Sequence, residues 1–388
     1  MYPPRAHRYL GRCALTAVVA LCAAASLASP ARAVNTATAL PAGSRLDHDR
    51  ALFLRMAGKG ITAARAYWWN RQLEWYDDRR DNSWNEHMPL ARLWTIFPLF
   101  EAIDALALAS PTPKNVAAVR RFSRAVRRYW NPDVEAFAWY PGLRGHRQTF
   151  FDDNGWFAIA FVDAYRVTND PADLAAGVSA YRFIVDEGWD EVDGGGTWWD
   201  TTGAYHKTSE PLAAAIYVGA FLYQRTRGAY YLRTTRRLLA WADTKGWNHG
   251  RSLYGRNARD GTVMNYVQGM MIGAHVTLCD ATGSRSYCER AQELAEASFR
   301  AFPVVAPWAP APDAIYLRFL LDLYRRNGDP RWYALAHANA RRALVVGRNK
   351  SGVFVRRWGD GRQGPNSLRD HAATISLFAW LAGIRPPG

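Results

Sequence analysis

Apolar segments of helical length alternate with short polar turns along most of the chain. Four of these turns align on Thr168, Thr226, Thr282 and Asn327, each between one apolar helix and a second helix. The turns recur at intervals of about 45 to 60 residues, which is typical of helical repeats. The pattern predicts stacked helical hairpins, in which each hairpin needs its neighbours to bury its apolar faces.

Two further hairpins complete the pattern. A looser copy spans Ile103 to Val119, and the segment Ala51 to Gln72 could pair with a terminal helix from Leu368 to Leu381. That terminal helix is apolar on most sides, unlike the polar cap that an open solenoid needs. We therefore predict an all-α fold, an (α/α)6 barrel of six helical hairpins, formed by residues 46–388 as a single domain.

The first 33 residues have the three parts of a secretory signal peptide. A basic start precedes an apolar stretch from Ala14 to Leu27 and an A-x-A cleavage site at Ala31–Ala33. We predict a secreted protein without stable membrane insertion. Residues 34–45 are predicted to be a disordered lead-in to the domain.

The chain is basic, with a formal net charge of +15. We interpret this positive charge as giving the protein a general attraction to anionic envelope polymers. Nucleic acid is not predicted as a partner, because no basic segment interleaved with aromatics forms a recognisable binding motif. We expect the protein to act as a monomer.

Two cysteines, Cys279 and Cys288, remain after the predicted signal peptide. The repeat alignment places one at the end of a first helix and the other at the start of the next. The equivalent slots hold Tyr165 and Leu174, Tyr223 and Leu232, and Tyr324 and Tyr333. An even number of cysteines in an oxidising compartment suits a disulfide, which we predict here.

A pair of adjacent carboxylates, Asp152 and Asp153, stands where a loop enters an apolar helix. Each raises the cost of ionising the other. The start of a helix favours one acidic residue, but it does not explain two. Glycoside hydrolysis uses such a pair, with one carboxylate ionised and the other held protonated.

Other polar candidates have simpler interpretations. The second acidic pair, Asp77 and Asp78, stands beside two arginines and is interpreted as a solvated, salt-bridged turn. His249, His275 and His371 are interpreted as structural. No metal site and no cofactor are predicted, because neither cysteine has the spacing or the histidine neighbours of a metal site.

Four motifs resemble glycoside hydrolase family 76, the endo-α-1,6-mannanases, whose fold is an (α/α)6 barrel. In family order they are Phe151–Trp156, Gly194–Trp199, Lys207–Glu210 and Asn265–Gly269. The similarity spans roughly residues 50 to 383. The chain departs from the family pattern at Gly155, Phe157, Val267 and the position before Glu210, and these departures leave the aspartate pair intact.

The resemblance implies a retaining mechanism with Asp152 as nucleophile and Asp153 as general acid/base, acting on an α-mannan polysaccharide or oligosaccharide. The residues expected to bind substrate are Asn154, Trp156, Trp198, Trp199, Glu210, Tyr266 and Gln268. Two alternatives stay open from the residues alone: the tryptophan pair could belong to the core, and Glu210 could cap a helix.

The main hypothesis is thus a secreted glycoside hydrolase that cleaves α-1,6-mannosidic linkages. One alternative is another reaction on the same barrel, such as transglycosylation or the hydrolysis of unsaturated uronides. The other is a non-catalytic glycan-binding protein, against which the intact aspartate pair argues.

Overall fold

The computed structural model describes residues 40–41, 43–80, 86–204, 206–257, 259–302 and 309–388. Twelve helices are formed by these residues. In chain order they are α1 (Gly43–Trp68), α2 (Leu93–Ala109), α3 (Pro113–Ala125), α4 (Phe151–Thr168), α5 (Pro171–Arg182), α6 (Ser209–Thr226), α7 (Ala229–Lys245), α8 (Asn265–Thr282), α9 (Arg285–Ala301), α10 (Pro310–Asn327), α11 (Pro330–Val346) and α12 (Leu368–Ala382). Helix α1 begins inside the segment 34–45 that was predicted as a lead-in, and the predicted signal peptide lies outside the described residues.

The even-numbered helices form a closed inner ring. Each contacts the next, and α12 contacts α2. The odd-numbered helices lie outside this ring, each packed on the inner helix before it, while α1 packs on α12 and completes the sixth hairpin. The fold is an (α/α)6 barrel, so the architecture predicted from the repeat is confirmed.

Burial separates the two rings. Inner helix α4 buries almost every side chain from Phe151 to Ala164, whereas outer helix α3 buries only Val119, Phe122 and Ser123. A helix packed on all sides must be apolar all round, and one at the surface needs a single apolar stripe. Within the described ranges, no helix is both long and apolar enough to cross a membrane.

The four aligned turns share one hydrogen bond. The side-chain oxygens of Thr168, Thr226, Thr282 and Asn327 each accept from the backbone N–H two residues later, at 3.0 to 3.2 Å. Such local bonds hold the turn between two helices. The alignment made on sequence is therefore also an alignment in space.

The predicted disulfide is present in the structure. Cys279 and Cys288 are bonded, with their Cα atoms 5.1 Å apart. In the next hairpin the equivalent residues, Tyr324 and Tyr333, pack with ring centroids 5.5 Å apart. The two slots therefore face each other across the turn, as the repeat implied.

The middle of the inner ring contains an ionic cluster that the sequence did not predict. Arg318 on α10 is 1% exposed and lies 2.7 Å from a carboxylate oxygen of Glu101 and 2.5 Å from one of Asp163. Ser376 on α12 donates a hydrogen bond to the other oxygen of Glu101 at 2.8 Å. Buried charges require such pairing because desolvation is costly.

Three short strand pairs follow outer helices α1, α3 and α7. They are β1 (Trp69–Asn70) with β2 (Trp75–Tyr76), β3 (Trp130–Asn131) with β4 (Ala136–Phe137), and β5 (Trp247–Asn248) with β6 (Leu253–Tyr254). Each begins with Trp-Asn, and each asparagine side chain accepts a hydrogen bond from a backbone N–H in its own turn. These pairs bring the chain from an outer helix towards the next inner helix.

Candidate active site

The six inner helices begin at the same end of the barrel, which we call the mouth. Contacts near their N-terminal ends show this. Asn265 on α8 donates to Asp313 on α10 at 2.6 Å, and the rings of Trp94 on α2 and Trp156 on α4 lie 4.9 Å apart. Glu210 on α6 is hydrogen-bonded to Tyr266 on α8, and the Arg369 guanidinium on α12 lies 6.0 Å from the Trp94 ring centroid. The loops that precede the inner helices gather there. Asp152 and Asp153 occupy the first turn of α4, at this mouth.

Asp152 is partly exposed and accepts hydrogen bonds from three donors. They are its own backbone N–H, the Trp199 side chain and the N–H of Asp153, which donates to Oδ1 at 2.9 Å. Burial raises the pKa of Asp152 to about 7, the Trp199 bond opposes that rise, and the charge of Glu210 adds to it. The carboxylate can therefore ionise near neutral pH.

Asp153 is more deeply buried, at 8% exposure. Burial raises the pKa of its carboxyl well above the usual range, and the charge of Asp152 raises it further. Arg92 offsets only part of this effect. Because the two groups titrate together, the favoured state has one proton, held on Asp153, beside an ionised Asp152. A carboxylate next to a carboxylic acid can supply a nucleophile and a proton donor.

The two predicted tryptophans are separated by the structure. The Trp199 side chain is hydrogen-bonded to Asp152, and the Trp199 carbonyl accepts a hydrogen bond from the backbone N–H of Phe151 at 2.8 Å. Trp198 projects away, because adjacent residues of an extended segment point to opposite sides. Its indole N–H donates to Asp190 at 3.1 Å, and the Lys207 ammonium lies 5.3 Å from its ring centroid. Trp199 therefore belongs to the mouth, and Trp198 does not.

The glycines before these tryptophans are required by space and conformation. Gly195 and Gly196 have φ values of +94° and +125°. A Cβ atom would lie 2.8 Å from the ring of Trp189 at the first and 2.8 Å from the ring of Trp241 at the second. Only glycine suits both conditions. The glycine run thus places the tryptophan segment against α4.

Glu210 lies in the first turn of α6, where its carboxylate accepts from its own backbone N–H, and it is also directed at the site. Arg256 lies 3.3 Å from its Oε1, the Thr208 hydroxyl donates to its Oε2, and the Tyr266 side chain is also hydrogen-bonded to it. Burial raises the pKa of Glu210, and the charge of Arg256 opposes that rise. Glu210, Tyr266 and Asp152 therefore form one electrostatic unit at the mouth, to which Arg256, not singled out from sequence, also belongs.

Trp156 lies beneath the surface of the mouth. It is 2% exposed, and its ring centroid is 4.9 Å from that of Trp94, 5.4 Å from Phe97 and 6.0 Å from Tyr266. Trp94 is only half-buried and was not identified from sequence. Trp156 therefore supports the aromatic rings that a substrate can reach, and direct stacking on Trp156 is excluded by its burial.

Asn154 and Gln268 were predicted to bind substrate, and this is wrong. Both are fully buried, and each side chain bonds both backbone groups of a strand residue, Phe137 for Asn154 and Tyr254 for Gln268. All of these bonds are between 2.7 and 3.0 Å. A buried amide whose donors and acceptor are satisfied has nothing left for a sugar hydroxyl.

His371 has the same role at the equivalent position of α12, where its Nδ1 accepts from the Phe354 N–H at 3.1 Å. Its structural interpretation is confirmed. His275 is also buried, and its Nδ1 lies 2.8 Å from the Met271 carbonyl. Within the described residues, no three His, Cys, Asp or Glu side chains are placed to hold a metal ion.

The interpretation of Asp77 and Asp78 as a solvated turn is wrong for Asp78. That carboxylate is fully buried and accepts from the N–H and the Nε of Arg92, at 3.2 and 3.0 Å, and from the Thr95 hydroxyl at 2.6 Å. It therefore holds the start of α2 and fixes Arg92. The aromatic residues just before the pair, Trp75 and Tyr76, are buried and were the available signal.

A model of glycosyl hydrolase family 76 matches residues 61–304. The matched region contains the aspartate pair, Trp199, Glu210 and Tyr266. A search of curated proteins finds no match.

Solved structures share the barrel. The family 76 mannosidase Bt3792 of Bacteroides thetaiotaomicron has a TM-score of 0.76 at 18% identity, covering 85% of this chain and 98% of that one. An inactive α-1,6-mannanase GH76A of Salegentibacter sp. HEL1_6, with two adjacent aspartates changed to asparagine and with α-1,6-mannotriose bound, has a TM-score of 0.68 at 17% identity, covering 85% and 99%. The cellobiose 2-epimerase of Bacillus thermoamylovorans B4167 has a TM-score of 0.63 at 12% identity, covering 84% and 98%. These likenesses establish the fold, which also supports epimerisation.

Proposed function

The chain belongs to glycosyl hydrolase family 76, and we propose that it hydrolyses the α-1,6-mannosidic linkages of a mannan outside the cell, with retention of configuration. Its membership makes it a glycoside hydrolase. The observation that carries the finer proposal is the pair of adjacent carboxyls, Asp152 and Asp153, at the start of inner helix α4, where burial raises the pKa of both.

In the proposed reaction, a carboxylate oxygen of Asp152 attacks the anomeric carbon while Asp153 gives its proton to the glycosidic oxygen. The bond from that carbon to the leaving sugar breaks, and a covalent glycosyl-enzyme forms. Asp153, now ionised, takes a proton from water, whose oxygen attacks the same carbon and releases Asp152. The two substitutions at one carbon leave the α configuration unchanged.

The surroundings of the pair support these roles. The hydrogen bonds from Trp199 and from the Asp153 N–H stabilise the ionised form of Asp152. Burial keeps the proton on Asp153, as a general acid requires. The Salegentibacter mannanase supports the same assignment, because its variant with two adjacent aspartates replaced is described as inactive.

The choice of mannan draws on the same relative and on the composition of the mouth. That inactive mannanase binds α-1,6-mannotriose. In this chain the half-buried rings of Trp94, Trp199 and Tyr266 can face a sugar, and Glu210 with Arg256 can bond its hydroxyls. Export rests on the signal peptide predicted from the sequence of residues 1–33.

The test uses the purified exported chain with linear α-1,6-mannan. We expect shortened chains, and NMR of fresh product should show the α anomer first. A β anomer formed first would contradict the retaining mechanism. Absence of cleavage, with cleavage of another glycan, would refute the linkage. Products longer than the substrate would indicate transglycosylation.

A further inference from the structure

A groove of 1270 Å³ is lined by Trp198 and Asp200 of the tryptophan segment and by Phe151, the residue before Asp152. We call it the side groove. Trp130 and Trp198 line it, together with Phe151 and Phe183, whose stacked rings have centroids 4.8 Å apart. The proposed reaction uses none of these four side chains. Trp198 is the motif residue that the active site leaves unexplained.

We propose that the side groove is a second glycan-binding site, which holds a further stretch of the neutral mannan chain during catalysis. The proposal rests on the proposed function for the identity of the glycan. Trp199 contacts the nucleophile, and Trp198, the next residue along the chain, lines the groove. A single short segment thus connects two sites.

The lining of the groove suits a sugar chain. Aromatic rings offer flat apolar surfaces, and a few polar groups among them fix orientation, which is the usual composition of a carbohydrate or small-molecule site. Trp130 and Trp198 are both half-buried, so part of each ring can be reached. Asp200 is already bonded to Gln148 at 2.7 Å and to Thr202, which holds the Trp198 segment in position.

The charges of the groove select against anionic polymers. Its acidic residues are Asp133, Glu135, Asp186, Glu187 and Asp200, and its basic residues are His146, Arg147 and Arg182. Acids outnumber bases here, although the whole chain has a formal charge of +15. A nucleic acid or a polyphosphate would be repelled where a neutral glycan would not.

Binding is measured on the inactive Asp152→Asn, Asp153→Asn double variant of the mature chain, by affinity electrophoresis in linear α-1,6-mannan. Ser179 lies on α5 at the edge of the groove. Adding Ser179→Trp should fill the groove and weaken mannan binding about tenfold, as expected for loss of an aromatic stacking contact. Ser286→Trp, on the exposed start of α9, is the matched control and should change nothing. Trp198→Ala should weaken binding as Ser179→Trp does.

The active enzyme gives a second readout. Ser179→Trp should lower kcat/KM for mannan relative to kcat/KM for α-1,6-mannotriose, which has fewer sugar units to place in the groove. An equal fall on both substrates, unchanged mannan affinity, or no mannan binding by the double variant would each overturn the proposal. These outcomes can be told apart from a failure of the proposed function. If the proposed function is wrong, the active chain does not cleave mannan, whether or not the groove binds it.

Discussion

Two pairs of adjacent aspartates lie near the mouth, and their surroundings differ. Asp78 is buried among donors, with hydrogen bonds from the backbone and guanidinium of Arg92 and from Thr95. Asp153 is also buried, but it faces the charge of Asp152, and Arg92 only partly offsets that charge. A carboxylate with a full set of donors stabilises the fold, whereas one buried beside a like charge is available for chemistry.

The largest effect should follow from removing either charge of the reactive pair. Asp152→Asn and Asp153→Asn keep the side-chain volume, and each should lower turnover of α-1,6-mannan by about 10²–10⁴ or more. Initial rates with unactivated mannan give the measurement. Near-normal rates in either variant would contradict the assignment.

Asp77→Asn is the matched control for these variants. The Asp77 carboxylate accepts one hydrogen bond, from Asn70 at 2.9 Å, and an amide oxygen can accept the same bond. Its rate should therefore stay close to that of the unmodified enzyme.

The next effect concerns stability. Asp78→Asn removes the charge that Arg92 faces and replaces an acceptor oxygen with an amide donor, so it should lower the free energy of unfolding by about 2 kcal/mol. Thermal unfolding measures this. The variant should also lose activity, because a displaced Arg92 no longer acts on Asp153. If the Asp78→Asn variant were as stable as the Asp77→Asn variant, Asp78 would not be a residue that stabilises the fold.

The repeat could be predicted from sequence because its signals are local. The side chains of Thr168, Thr226 and Thr282 form hydrogen bonds with backbone groups two residues away, so these turns can be recognised from residue spacing alone. The ion pairs of Arg318 could not be predicted, because Glu101 lies 217 residues earlier. Only closure of the ring brings such residues together.

The errors within the site have the same physical origin. Asn154 and Gln268 lie in the first turns of inner helices beside functional residues, as substrate-binding amides would. Their partners, Phe137 and Tyr254, are 17 and 14 residues earlier, in strands that the helical pattern did not reveal. The Trp-Asn pairs that begin these strands could have revealed them.

A smaller effect concerns the thermal stability of the Asp153→Asn variant, which loses activity but should gain stability. The folded state raises the pKa of Asp153. The contribution of this carboxyl to the stability of the fold is therefore fully present at a pH below the pKa that Asp153 has in the unfolded chain. The contribution is lost as pH rises through the folded pKa. Asp153→Asn should therefore raise Tm by about 2–4 °C at pH 7.5 and by nothing near pH 3. Calorimetry at both values tests it, and a lower Tm at pH 7.5 would argue against a raised pKa of Asp153 in the folded protein.

The smallest effect concerns the electrostatic unit around Asp152. Burial raises the pKa of Asp152, the proposed nucleophile, to about 7, and the charge of Glu210 contributes to that rise. Glu210→Gln removes this charge and leaves Arg256 closer to unopposed, and both changes favour the ionised form of Asp152. The acid limb of the kcat/KM profile should therefore move to lower pH, by about 0.5–1 unit.

The position of this limb is the useful readout, because lost contacts with substrate would change only the height of the profile. Asp260→Asn is the control, since Asp260 also lies 3.3 Å from Arg256 but, unlike Glu210, is not one of the principal causes of the raised pKa of Asp152. It should leave the limb in place. If Glu210→Gln also left it in place, Asp152 would not be the group whose ionisation limits the rate, and the contrast between a reactive and a structural pair would rest on Asp153 alone.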